Sequence, residues 1–208
     1  MAETVRAFIA VQLPEEVADG VWQVQDTLQQ LPPMHDLRWV DPDDAHITIK
    51  FLGETPTPKL PAIEDALDSV AHSWTPFRVK LGPLGAFPNV YRPNNIWLGV
   101  EEGGEPFQHL YNAVEVALKP LGIKPERRDF HPHVTLARVP RSWTQTQQRA
   151  IGDLIGPTSL PEVPPFTVEA IALLRSVLTE EGSEYTRLAN SIFGEEPPLQ
   201  SDDWEDIL

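Results

Sequence analysis

The chain has 208 residues and a formal net charge of −15, with 31 acidic against 16 basic side chains. That balance excludes a broad non-specific nucleic-acid surface, which needs a basic stripe, although a few local donors suffice for one phosphate group. Cysteine is absent, which excludes disulfides, thiolate chemistry and cysteine-held metals, and no window approaches the roughly 18 consecutive apolar residues of a membrane span.

In chain order, Val5–Val11 reads as an apolar strand closed by Leu13 and Pro14. Glu15 to Leu31 then carries Val17, Val21, Val24 and Leu28 at helical spacing until Pro32-Pro33 ends it. Leu37–Val40 is a short strand, Asp41-Pro42-Asp43-Asp44 a turn, and Ala45–Leu52 a strand ending at Gly53. A second helix is expected over Pro58–Ser73, with Leu60, Ile63, Leu67 and Val70 on one stripe. Strands at Phe77–Leu81 and Ile96–Val100 flank a loop from Phe87 to Asn95, and a helix follows over Pro106–Lys119. Pro132–Val139 is a strand, Thr144–Ile155 a helix, and Phe166–Leu174 and Tyr185–Leu188 are closing strands around a turn at Thr179–Ser183.

This rhythm, strand–helix–strand–strand–helix and then roughly the same again, predicts an α+β fold. We expect two pseudo-symmetric lobes, their antiparallel sheets facing a central cleft with helices outside. Residues 1–193 form that domain. Residues 194–208 are an acidic tail expected to be flexible, either solubilising or docking on a basic groove of a protein partner or of the chain itself. Met1–Arg6 lacks a basic region leading into an apolar stretch, so no secretory signal and a cytoplasmic location are expected.

Two segments match each other: His46-Ile47-Thr48-Ile49 and His133-Val134-Thr135-Leu136. On a strand, residues two apart share a face roughly 6.6 Å from one another. Each segment therefore sets one imidazole beside one hydroxyl with an aliphatic residue packed behind. Either copy alone reads equally well as a histidine bonded to its neighbour at a strand end. Two facing copies offer two proton carriers and two hydroxyl donors, the equipment for in-line attack on a phosphate without a metal.

Other candidates surround this pair. His131 shares strand parity with His133 and reads as a polar residue at the mouth of the cleft or a phosphate contact. A zinc site of His46, His131, His133 and Asp44 is the metal alternative, but it gives both threonines no task. Arg127 and Arg128 supply local positive charge before the second motif, either solvated or facing substrate, whereas Arg138 has the opposite parity to His133 and should point away. His72 and His109 read as surface residues, and Trp39 and Trp97 as core. No glycine-rich nucleotide loop and no Gly-x-Ser-x-Gly elbow occurs, so no cofactor and no serine hydrolase is indicated.

With its two His-x-Thr motifs the chain resembles the 2H phosphoesterase superfamily, and within it the RNA 2′,3′-cyclic phosphodiesterase, or 2′-5′ RNA ligase-like, family. Arg6–Pro14, His46–Gly53, Phe87-Pro88-Asn89 with Arg92-Pro93, Ile96–Val100, Phe130–Arg138 and the hairpin around Leu173–Leu178, Gly182 and Tyr185 carry the resemblance, over about residues 5–192. The tail lies outside it, and Tyr91 stands where another basic residue is expected. The resemblance implies metal-independent hydrolysis of RNA 3′ ends or nucleoside 2′,3′-cyclic phosphates to 2′-phosphates, and a monomer is expected. It implies His46 as acid, His133 as base, Thr48 and Thr135 on the phosphate oxygens, and it admits Phe8 stacking on the terminal base instead of packing in the core. The alternatives are 2′-5′ ligation or another cyclic phosphate on the same two histidines, or a catalytically silent module binding RNA ends.

Overall fold

The computed structural model describes residues 3–179 and 183–195. Among these residues nine strands and four α-helices run β1 (Thr4–Gln12), α1 (Glu15–Gln29), β2 (Arg38–Trp39), β3 (His46–Pro56), α2 (Leu60–His72), β4 (Phe77–Phe87), β5 (Asn95–Glu102), α3 (Gly104–Leu118), β6 (His133–Arg138), α4 (Gln145–Gly152), β7 (Phe166–Val168), β8 (Ala170–Leu178) and β9 (Ser183–Ile192). The expected α+β class and the antiparallel pairing are found. Elements sit within a few residues of the sequence reading, except that β4 runs on to Phe87 and the strand expected at Phe166–Leu174 breaks at Glu169. No described helix is long and apolar enough to cross a membrane.

All strands join one antiparallel sheet in the order β7-β4-β5-β6-β3-β1-β8-β9, with β2 also beside β6. The two motif strands meet in its middle through a single registered pair, Ile47 with Val134. The sheet is therefore two four-stranded halves, β3-β1-β8-β9 and β6-β5-β4-β7, joined at that seam. These are the two lobes. One stretch explains the curl: β7 pairs with β4, yet β8, one residue later, pairs with β1 far along the strand order. The sheet has to bend round until both of its sides meet this stretch.

The lobes do not follow one another along the chain. Helix α1 leaves the first half but packs on the second, where Gln25 Nε2 donates to the carbonyls of Val40 (2.8 Å) and Leu136 (3.1 Å). Helix α2 packs on β8 and β9, and α3 on α2, so both cover the first half. The apolar stripes of all three helices meet one face of the sheet in a continuous core that includes Ile9, Ile47, Ile96, Val134, Phe107 and Leu110. The other face is open apart from a small cluster of Phe8, Ala10, Ala172 and Leu174, with Tyr185 against it. Gly152 ends α4 against the loop after β4, where an added Cβ would lie 1.8 Å from the Val90 carbonyl oxygen. Of the expected acidic tail only Gly194 and Glu195 are among the described residues, and the Gly194 amide donates to Ala71 at 3.0 Å.

Candidate active site

Fully buried Ile47 and Val134 fix the orientation of the two motif strands, because alternation then sends His46, Thr48, His133 and Thr135 to the open face. Antiparallel register about Ile47 and Val134 sets His46 opposite Thr135 and Thr48 opposite His133. The two histidines thus occupy one diagonal of a four-residue rectangle and the two threonines the other. On a regular ladder that diagonal spans about 7–8 Å.

Both imidazoles are held in the same way. His46 Nδ1 donates to the Asp44 carbonyl at 2.7 Å, and His133 Nδ1 donates to the His131 carbonyl at 2.6 Å. A carbonyl can only accept, so each Nδ1 carries the proton and each Nε2 is left as the group that titrates into the cleft.

Aromatic rings wall both histidines. Phe8 and Tyr185 lie 5.0 and 5.1 Å from the His46 ring, and Phe87 and Trp97 lie 4.9 and 5.9 Å from that of His133. Gly85 makes room for Trp97, since a Cβ there would fall 2.2 Å from the indole. Burial among these groups disfavours the charged form and pushes both imidazoles below their ordinary pKa, against the opposing pull of the carbonyl bonds. The charges of His133 and Arg138 depress His46 further, and that of His131 depresses His133.

Two β-bulges re-aim residues that strand parity misplaces. In β3 the register passes from Thr48 opposite Ala10 to Lys50 opposite Ile9, so Ile49 is the extra residue. Lys50 consequently turns to the helix-covered side, where it pairs with Glu115 of α3 and donates to the Lys124 carbonyl at 3.0 Å. Phe51 turns to the open face, opposite Phe8 and 63 % exposed. In β6 the register passes from Thr135 opposite Trp97 to Ala137 opposite Ile96, with Leu136 extra. Arg138 therefore lies on the face of His133 and Thr135, not away from it as unbroken alternation predicts.

The other candidates divide. Phe8 is 3 % exposed and backs His46, so of its two readings it is the packed one that the structure shows. The face open to a flat ligand belongs to Phe51, which sequence reasoning missed. Trp97 sits beside His133 on the open face instead of in the core. His131 precedes β6 and is exposed, so its strand parity does not apply, and its carbonyl is the part that serves His133. Arg128 is exposed and bonded through its guanidinium to Glu126 at 3.3 Å, which with two loop amides pulls the Glu126 carboxyl down to about 2. Arg127 is exposed beside it. Arg149 lies over the Tyr91 ring at 5.6 Å, bringing a cation from α4 to the position where the loop itself lacks one. Among the described residues, no three histidine or carboxylate side chains gather as a metal-binding set, so the zinc grouping of His46, His131, His133 and Asp44 does not assemble.

Comparison with known proteins identifies the family. The family model of the 2′-5′ RNA ligase superfamily matches residues 14–180. A Methanothermobacter thermautotrophicus protein named RNA 2′,3′-cyclic phosphodiesterase is 35 % identical over 88 % of this chain and 95 % of its own length. An Archaeoglobus fulgidus protein of the same name is 33 % identical over 88 % of this chain and 97 % of its own. A solved Thermus thermophilus structure superposes with a TM-score of 0.71 at 29 % identity, covering 92 % of this chain and all of that one.

Proposed function

The chain belongs to the 2′-5′ RNA ligase superfamily, and from that premise we propose that it hydrolyses the 2′,3′-cyclic phosphates of RNA ends or nucleosides to 2′-phosphates with His46 and His133 as proton carriers. The observation that carries this reading is the diagonal pair of imidazoles, each tied at Nδ1 to a backbone carbonyl and free at Nε2. His133 Nε2 takes a proton from water as the water oxygen bonds to phosphorus. The bond from phosphorus to O3′ breaks in line, and protonated His46 Nε2 delivers its proton to O3′. The Thr48 and Thr135 hydroxyls, on the other diagonal, donate to the non-bridging oxygens as charge accumulates there. Arg138 adds positive charge at the His46 end. The rectangle itself is indifferent to which histidine is the acid, and the family resemblance assigns that role to His46. Phe51, not Phe8, is the platform for the terminal base.

The test is hydrolysis of nucleoside 2′,3′-cyclic monophosphates in EDTA. Turnover to a 2′-phosphate that is indifferent to chelator is expected, and activity that vanishes with EDTA would restore a metal mechanism. A protein inert on these and on cyclic-ended oligonucleotides would be a binding module. The alternative of 2′-5′ ligation uses the same two histidines, and its test is the joining of a cyclic-ended oligonucleotide to one with a free 5′-hydroxyl, whose oxygen takes the place of water at phosphorus while O3′ departs with the proton.

The pH profile follows from the depressed imidazoles. Activity needs one histidine neutral and the other protonated, so kcat/KM is bell-shaped with limbs that belong to the coupled pair. Since both groups lie below the ordinary value of 6.5, the maximum falls on the acid side of that value. The rate then drops as pH rises through neutrality and the acid is lost. An optimum in the alkaline range would contradict the assignment.

A further inference from the structure

Beside the rectangle lies a row of side chains of which the chemistry above uses only the charge of Arg138. Arg38 of β2 and Arg138 of β6 stand directly opposite one another in antiparallel register. The neighbouring row is Trp39 opposite Ala137, with Ile96 on the far side of Ala137, and Ala137 and Ile96 are fully buried in the core. Adjacent rows of a sheet face opposite ways, so Arg38, Arg138 and Asn95, which is registered with Arg138 on β5, form a row of donors on the open face.

Both arginines are exposed, and among the described residues no carboxylate forms an ion pair with either. The nearby acidic turn is directed elsewhere: the Asp41 carboxylate accepts from the Asp43 amide at 3.0 Å, and the charges acting on Asp44 are those of Asp41, Asp43 and Glu184. Like charges placed directly opposite on a sheet repel, and the repulsion is relieved when an anion lies between them. Two guanidinium forks suit a phosphate.

The position of the row selects which phosphate. With Leu136 the extra residue of the bulge, Arg138 is the next residue after Thr135 on the open face, about 6.6 Å further along. The row therefore lies just beyond the His46–Thr135 end, and Arg138 is near enough for its charge to depress His46. The acid has to stand on the ribose side of phosphorus, because it protonates the departing O3′. The chain of a longer substrate thus leaves the site past His46, toward this row.

We infer that Arg38 and Arg138 together bind the first internucleotide phosphodiester 5′ to the cyclic end, so that the site favours oligonucleotides over mononucleotides. This rests on the hydrolase reading and extends it to substrate length. A nucleoside 2′,3′-cyclic phosphate lacks that phosphodiester and gains nothing from Arg38.

The experiment compares kcat/KM on a dinucleotide ending in a 2′,3′-cyclic phosphate with that on the corresponding nucleoside cyclic phosphate, for wild type, Arg38→Gln and Arg38→Lys. In Arg38→Gln the ratio of the two falls about tenfold, through KM, as expected for one lost charged contact at an exposed site. Arg38→Lys recovers part of it. The slope of log KM against log salt for the dinucleotide becomes shallower by about 0.7, the contribution of one phosphate contact on a single strand. An unchanged ratio, whether because both substrates suffer equally or because neither does, overturns the inference. Calorimetric binding of the 2′-phosphate-ended dinucleotide to the same proteins reads the row without turnover. Equal affinity of wild type and Arg38→Gln there also overturns it, whereas an inert wild type that still binds the dinucleotide through Arg38 counts against the hydrolase reading alone.

Discussion

Replacing either His46 or His133 with alanine lowers kcat by about 10²–10⁴-fold, the range for loss of a positioned proton carrier, and replacing both lowers it little further than the worse of the two. The two transfers belong to one in-line displacement, so a site missing one partner no longer profits fully from the other. KM changes little, because Thr48 and Thr135 still hold the phosphate. Folding is not the cause of the loss. Each imidazole is half-buried and carries a desolvation cost that alanine removes, so melting temperatures stay within a few degrees of wild type. A substrate with a good leaving group, such as an aryl phosphodiester, separates the roles. It needs no proton on departure, so it restores turnover to the variant lacking the acid, His46→Ala, and not to His133→Ala. Rescue of His133→Ala instead would exchange the two roles, and full activity of either alanine variant on the cyclic phosphate would end the two-histidine mechanism.

Glu115→Ala costs about 3–5 kcal/mol of stability, the loss typical of a buried ion pair deprived of one partner. Lys50 is the reason. Its side chain is 2 % exposed, and without Glu115 only the Lys124 carbonyl remains to its ammonium group. At 2–4 °C per kcal/mol for a chain of this size, the melting temperature falls by roughly 10 °C. The double variant Lys50→Met, Glu115→Leu recovers most of that, since an apolar pair of similar volume carries no charge to desolvate. Thermal or urea unfolding of the four proteins measures both statements. A loss under about 1 kcal/mol in Glu115→Ala would mean that water screens the pair. The same carboxylate also accepts from the Glu126 amide at 3.3 Å, so Glu115→Ala loosens the loop that leads into the second motif as well.

The amino-acid pattern discloses the rectangle better than its surroundings. Alternation about Ile47 and Val134 is short and regular, so the facing of His46, Thr48, His133 and Thr135 can be read directly. It fails two residues later, in both strands, because a bulge inserts one residue and reverses the parity of those that follow, Lys50 and Phe51 in β3 and Arg138 in β6. The runs Ile49-Lys50-Phe51-Leu52 and Leu136-Ala137-Arg138 do break strict alternation, and that break is the trace by which Phe51 and Arg138 were discoverable. The parity argument does not reach His131 for a different reason: its strand starts two residues after it, although its ring still lies beside the site, 6.2 Å from Phe87. The repeated order of strands and helices suggests two lobes and does contain them, but it implies consecutive lobes. Nothing local in the sequence shows that α1 packs on the second half or that Phe166–Leu178 serves both, since those are choices among distant partners.

That shared stretch has a kinetic consequence. Until Phe166–Leu178 is in place, β4 and β1 lack the strand that bends the sheet between them, and it follows both motif strands in the chain. During synthesis both motif strands therefore leave the ribosome before the element that brings their lobes round, and the curled cleft around the proton-transfer pair closes only once residues 166–178 have emerged. Pairings this remote in sequence close slowly. Recovery of activity after dilution from denaturant should accordingly track the slowest refolding phase, making turnover a clock for the completion of the fold.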